Sequence, residues 1–219
     1  MDQRTVILPR DELAVDVVDA AYRLLGCTLE SDTEDGPVSV RLVEVEAYRG
    51  ADDPASHSYR GRTPRNSIMW GPAGYLYVYF VYGMHFCANV VCMTDGVAGA
   101  VLFRAGEVTS DPGVARIRRP RARGDRELAR GPARLASLLG LGREQNGLDL
   151  TDPTSPVRLC AGDPVPRAQI LSGPRVGVAV ATELPWRFWI ADSPAVSPYR
   201  PGGTRRNRST SNKVRRASQ

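Results

Sequence analysis

Leu42-Val43-Glu44-Val45-Glu46-Ala47-Tyr48 alternates in chemistry from residue to residue, and that alternation decides the fold. Successive side chains of a β-strand point to opposite faces. Val43, Val45 and Ala47 are therefore predicted to face a core, while Leu42, Glu44, Glu46 and Tyr48 share the other side. Two carboxylates and an aromatic ring on one strand face are an odd use of that surface. A merely solvated face would carry Lys, Thr or Ser equally well. Two readings stand at this point: a solvated strand face, or a site built on the acids.

Outward from this strand, further strands are expected at 37–48, 75–82, 85–92, 99–104, 157–160, 174–180 and 187–190, with Pro- and Gly-bearing turns between them. Asp11 to Leu25 reads as an amphipathic helix, with Leu13, Val17, Ala21 and Leu24 on one face, Asp11 as cap and Gly26 as terminator. Gly131-Pro132 opens a second helix that turns Leu135, Leu138 and Leu139 inward. Between them, Arg116 to Arg130 is arginine-dense, broken by Pro120 and Gly124, and reads as a loop or mobile arm. The expected fold class is α+β: a single compact domain with a curved antiparallel β-sheet, surrounding helices and a protruding β-hairpin. The domain is expected over 1–198, followed by a basic, disordered tail over 199–219.

Composition sets bounds on function. At 219 residues the chain can bury one full core, and 42% hydrophobic with 24% charged residues is ordinary for a globular protein. No apolar run approaches the roughly 20 residues of a bilayer span, and the N-terminus lacks a signal-peptide pattern. A cytoplasmic location is expected, on the nucleoid if the source is bacterial. Cys27, Cys87, Cys92 and Cys160 form no CxxC pair and there are two histidines, which argues against a zinc module and a disulfide framework. No metal and no cofactor are expected. The net charge of +5 is unevenly spread: residues 200–219 hold seven basic residues and no acid, which leaves −2 on residues 1–199. The sequence pI of 9.3 therefore comes from that stretch. It either attracts polyanions or is inert. Lys213 is the only lysine; the other 28 basic residues are arginine.

The run from Gly74 to Val90 holds two β-prone segments meeting near Gly83, a hairpin. Tyr75, Tyr77 and Tyr79 fall on one face, and Leu76, Val78 and Phe80 on the other. Tyr82 and Met84 occupy the tip, where little core can cover them. Such a tip is an aggregation hazard or a wedge for a partner, and wedging between base steps is one known use. Residues 50–66 form a long loop carrying His57, Arg60, Arg62 and Arg65; arginines of this kind suit phosphate contacts.

VEVEAY, ASHSYRGRTPRN, GYLYVYFVYGMHFCANVV, VLFRA, DRELARGPARL, NGLDL and RVGV, in this order between residues 11 and about 198, resemble the alkyladenine (3-methyladenine) DNA glycosylases. The resemblance implies a monofunctional base-excision repair enzyme, acting as a monomer on double-stranded DNA that contains a damaged purine. It implies that Glu46 activates the attacking water, with Arg104 beside that water. Tyr48, His57 and Tyr79 correspond to the rings around the extruded base. Asn89 corresponds to a residue that crowds a guanine 2-amino group. Tyr82 corresponds to the residue that fills the gap in the stack, with Met84 next to it. Arg62, Arg65 and Arg134 are expected at the DNA backbone. Glu44 is left open as a structural ion-paired group or one that supports catalysis.

The chemistry of the residues agrees with those roles. Departure of a purine develops positive charge at C1′, so a carboxylate there both takes a proton from water and stabilises the sugar. A β-lyase step would need an amine nucleophile, and the folded part offers no lysine. Two alternatives compete: a hydrolase of free nucleosides, which leaves the tip and the arginines without purpose, and a silent nucleic-acid-binding module, which leaves Glu46 unexplained.

Overall fold

A computed structural model describes residues 6–203. Its framework is an antiparallel sheet in which the long strand β2 (Gly36–Tyr48) is the organising element. β2 pairs along its first half with β1 (Thr28–Thr33), on one side with β5 (Ala100–Val108), and near its end with β8 (Arg187–Ile190). β3 (Leu76–Val81) and β4 (His85–Val91) form a hairpin that joins the sheet through β5. β6 (Val157–Cys160) extends the far edge beside β1, and β7 (Ile170–Gly173) pairs with β8. Three short helices, α1 (Val17–Leu24), α2 (Pro112–Arg118) and α3 (Pro132–Leu138), complete the α+β architecture expected.

One main apolar cluster joins these elements. Val43, Val45 and Ala47 of β2 lie in it, as predicted, with Val17, Ala20, Ala21 and Leu24 of α1 and Leu135 and Leu138 of α3. The other face of β2 is not solvated: Leu42, Glu44 and Glu46 are fully buried. The pairing of β2 with β5 slips between Leu42 and Val45, a bulge beside the two acids. Bulges of this kind re-aim side chains and recur next to functional sites.

Several boundaries differ from expectation. The first helix begins at Val17, because Asp16 rather than Asp11 is its cap, its side chain accepting from the Val18 N–H at 2.9 Å. Asp11 lies instead in a single 3-10 turn, Arg10–Glu12. The predicted strand at 174–180 is absent: β7 stops at Gly173 because Pro174 has no N–H to continue the ladder. The first part of the arginine-dense segment belongs to α2, capped by Asp111, rather than to a mobile arm.

At the hairpin tip Tyr82 and Gly83 both have positive φ, 53° and 68°, and the Met84 N–H donates to the Val81 carbonyl. That is the conformation a two-residue type I′ turn requires. Tyr82 is 84% and Met84 69% exposed, as the sequence predicted for the tip. The stretch expected as a tail begins inside the described residues: the Gly177 N–H donates to the Arg200 carbonyl at 3.0 Å. Residues 204–219 lie outside them.

Candidate active site

Register alone assembles the site. Tyr77 pairs with Asn89, Asn89 with Leu102, Leu102 with Glu46, and Glu46 with Arg187, one row running across four strand boundaries. Residues two apart on a strand share a face. Tyr79, Cys87, Arg104 and Glu44 therefore form a second row on the same side of the sheet. Together with Tyr48 at the end of β2, these rows apart from Glu44 and Arg187 floor a cavity of about 560 Å³, within the roughly 300–1,000 Å³ usual for small-ligand sites. His57 closes it on one side, residues 176–180 on another, and the exposed Tyr82 stands at its mouth.

Glu46 is fully buried at the base of this cavity. Its Oε1 accepts from the Val176 backbone N–H at 2.7 Å and lies 3.3 Å from Nη1 of Arg104. Its Oε2 accepts from the Tyr48 hydroxyl at 2.8 Å. Burial raises the carboxyl above the ordinary range for a glutamate, outweighing Arg104, the Val176 N–H and the Tyr48 hydroxyl, which favour the anion; nearby Glu44 adds to the rise. Burial, then the Glu46 charge, hold the Tyr48 phenol well above its usual pKa, so it stays a donor. The result is a carboxyl fixed by two hydrogen bonds and one ion pair, whose affinity for a proton burial increases.

The aromatic walls are equally fixed. The His57 ring meets Tyr79 edge-on at 4.5 Å between centroids, and its Nδ1 hydrogen-bonds with the Tyr77 hydroxyl at 3.1 Å. Burial first, then Arg65, lowers the His57 pKa, which favours the neutral ring. Asn89 donates to the Tyr77 carbonyl at 3.1 Å, so its amide is held in the cavity wall. Behind Tyr48 stands a buried ion pair: Arg175 grips Asp53 through both terminal nitrogens and lies 4.7 Å from the Tyr48 ring centroid. Asp53 also caps the turn into Ala55, which carries the chain to His57.

The structure thus brings Glu46, Tyr48, His57, Tyr79, Asn89, Arg104 and Tyr82 to one cavity. Met84, Arg62, Arg65 and Arg134 do not line it. Met84 shares the exposed tip; Arg62 is exposed on the 50–66 loop. Arg65 donates to the Phe80 carbonyl at 3.2 Å and stands over the Tyr79 ring. Arg134 is exposed in the first turn of α3, 4.0 Å from Glu127.

The chain matches the family described as methylpurine-DNA glycosylase over residues 11–194. It is similar to a candidate 3-methyladenine DNA glycosylase of Nocardia farcinica, 57% identical over 87% of this chain and 90% of the relative. It is also similar to proteins of the same description from Streptomyces avermitilis, 51% identical over 92% and 95% of the two chains, and Mycobacterium tuberculosis, 48% identical over 87% and 93%.

This chain belongs to the methylpurine-DNA glycosylase family.

Its enzymatic class is accordingly that of a DNA glycosylase, and the resemblance seen in the motifs is borne out. Within this glycosylase, several residues that build the site escaped the sequence reading. Tyr77, Cys87, Val176, Arg175, Asp53 and Ser197 all touch the cavity or hold a group that does, and Arg187 holds Glu44 beside it. Tyr77 was within reach, since it shares the alternation of Tyr75 and Tyr79. Val176 was not, because only its backbone acts. Among the described residues no group of three His, Cys, Asp or Glu could hold a metal ion, and no helix is long and apolar enough to cross a membrane.

Proposed function

We propose that this glycosylase extrudes an alkylated purine of the 3-methyladenine type from duplex DNA into the cavity and hydrolyses its N-glycosidic bond, acting as a monomer. The observation that carries this reading is Glu46, buried among Arg104, the Val176 N–H and the Tyr48 hydroxyl at the floor of a ring-lined cavity. The names of the relatives support the substrate class.

In this mechanism the wedge is Tyr82, whose exposed ring fills the space that the extruded nucleotide leaves; Met84 packs beside it. Extrusion costs a few kcal/mol, least where the lesion has already weakened pairing, and part of the selectivity comes from there. The base lies between Tyr48, His57 and Tyr79. An N3-alkylated adenine carries positive charge, which tyrosine faces attract. Asn89 crowds the position of a guanine 2-amino group and excludes normal guanine. Arg62, Arg65 and Arg134 contact backbone phosphates around the lesion.

Glu46 then takes a proton from water as its oxygen bonds to C1′, while the electrons of the C1′–N bond leave with the base and cancel its charge. The same carboxylate stabilises the sugar cation on the way. Arg104 orients that water. Hypoxanthine carries no positive charge for the bond electrons to cancel and would leave as an anion, so it is released more slowly. The described residues offer no lysine for a Schiff base, so in this mechanism water is the nucleophile and the product is an intact abasic strand.

The test is incubation of the protein with duplexes carrying 3-methyladenine or hypoxanthine, followed by alkali, and a parallel incubation with the free nucleosides. Strand breaks that appear only after alkali are expected. Breaks before alkali would contradict the monofunctional mechanism. Comparable release from free nucleosides would favour a nucleoside hydrolase, and lesion binding without release a silent binding module.

A further inference from the structure

Glu44 has no solvent contact and does not line the cavity, yet it accepts four hydrogen bonds. Its Oε1 accepts from Arg104 Nε at 3.0 Å, from Arg187 Nε at 2.6 Å and from the Ser197 hydroxyl at 2.9 Å. Its Oε2 accepts from the Ser197 N–H at 2.6 Å. Arg104 also donates through Nη2 to the Ser197 hydroxyl at 3.1 Å, and Arg187 through Nη2 to the Ser197 carbonyl at 2.8 Å. Two of the three nitrogens of Arg104 are thereby committed away from the cavity. Only Nη1 reaches Glu46, at 3.3 Å, longer than a good charge-assisted bond.

We infer that Glu44 is a positioning residue: by holding Arg104 along its Nε edge, it keeps that guanidinium from closing a two-pronged grip on Glu46, so Glu46 remains a free proton acceptor. This rests on the reading of Glu46 as the general base. A carboxylate gripped at both oxygens by an arginine is a poor base, and a carboxylate left with no cation in a buried site stays protonated. Glu44 holds the site between those two conditions. The charges balance: Glu44 and Glu46 against Arg104 and Arg187. Arg187 shares Oε1 of Glu44 with Arg104, and it lies 4.6 Å from the Trp189 ring centroid, which fixes it from behind.

The groups facing Glu46 are few. They are Arg104 from β5, Glu44 and Tyr48 from β2, Arg175 and the Val176 N–H from the loop after β7, and Tyr79 and Cys87 from the hairpin. Glu44 and Arg104 are the pair that sets its charge balance. Replacing Glu44 by glutamine removes the negative charge that opposes Arg104 beside Glu46 and frees Arg104 to turn toward it. The Glu46 proton is then lost at lower pH, and the resulting base is weaker.

The experiment is the pH dependence of single-turnover base release from a 3-methyladenine duplex by wild type, Glu44→Gln, Glu44→Asp and Ser197→Ala, with duplex affinity measured alongside. Expected for Glu44→Gln are a rate at least about tenfold lower at neutral pH, an acid limb moved to lower pH, and affinity within about threefold of wild type. Glu44→Asp should restore part of both. Ser197→Ala, which removes one hydroxyl, should move the limb the same way by less, and it decides the matter if Glu44→Gln does not fold. A reduced rate with an unmoved acid limb in Ser197→Ala and Glu44→Gln overturns the inference, as does an unchanged rate. Absence of base release by the wild type would instead sink the assignment of function, and a fully active Glu46→Gln the assignment of the base.

Discussion

Removing Arg175 should damage the protein more than any exposed arginine can. Its side chain and that of Asp53 are both fully buried, joined at two points, one of them 2.8 Å long. Arg175 also donates to the Ala47 carbonyl at 3.0 Å and lies against Tyr48 and Trp186. Truncation to methionine keeps much of the packing but strands the Asp53 carboxylate without a cation. Breaking a buried pair in this way costs about 3–5 kcal/mol. For a domain of roughly 150–250 residues each kcal/mol moves Tm by about 2–4 °C, so a loss of roughly 6–20 °C is expected. The double variant Asp53→Asn with Arg175→Met leaves no charge at this position and should recover much of the loss. Thermal unfolding of the two single variants and the double, set out as a cycle, measures the coupling. Additive losses, or single variants within about 2 °C of wild type, would refute the account of this pair as the brace behind the Tyr48 wall.

Two further outcomes follow from the site. Tyr82→Ala should leave the unfolding free energy unchanged to within about 0.5 kcal/mol, because an 84% exposed ring contributes little to folding, while lesion-duplex affinity measured by fluorescence anisotropy falls about tenfold or more. Burial raises the Glu46 pKa in the folded protein, so the native state holds that proton more tightly than the unfolded chain, and stability from this group is present at low pH and lost as pH rises through the folded value. Glu46→Gln removes that loss. Its Tm should exceed that of wild type near pH 8, and the gap should close as pH falls toward the ordinary carboxylate value of about 4.3.

Local pattern carried most of the sheet and half of the site, but gave no sign of β1 or β7. The alternation around Glu46 placed its core face correctly, and β6 and β8 fall where short apolar runs between turns predicted them. The same rule failed at 174–180, where Val176, Val178 and Val180 alternate as a strand does. Those residues line the cavity instead of a sheet, and the Val176 N–H that a ladder would use goes to Glu46. The first helix face was right while its start was not, because two aspartates competed for one cap and only Asp16 precedes a continuous helical run. Partners far apart in sequence left no local trace. Asp53 and Arg175 stand 122 residues apart, and Glu44 and Ser197 stand 153 apart. An acid buried by distant cations reads, in one dimension, like an acid on a surface.

The most direct measurement is the single-turnover rate of base release by Glu46→Gln from a 3-methyladenine duplex, with duplex affinity determined on the same preparation. The loss of a general base predicts a rate about 10²- to 10⁴-fold below wild type with affinity retained. Release at the wild-type rate would show that water is activated by some other group, and the mechanism built on Glu46 would be wrong.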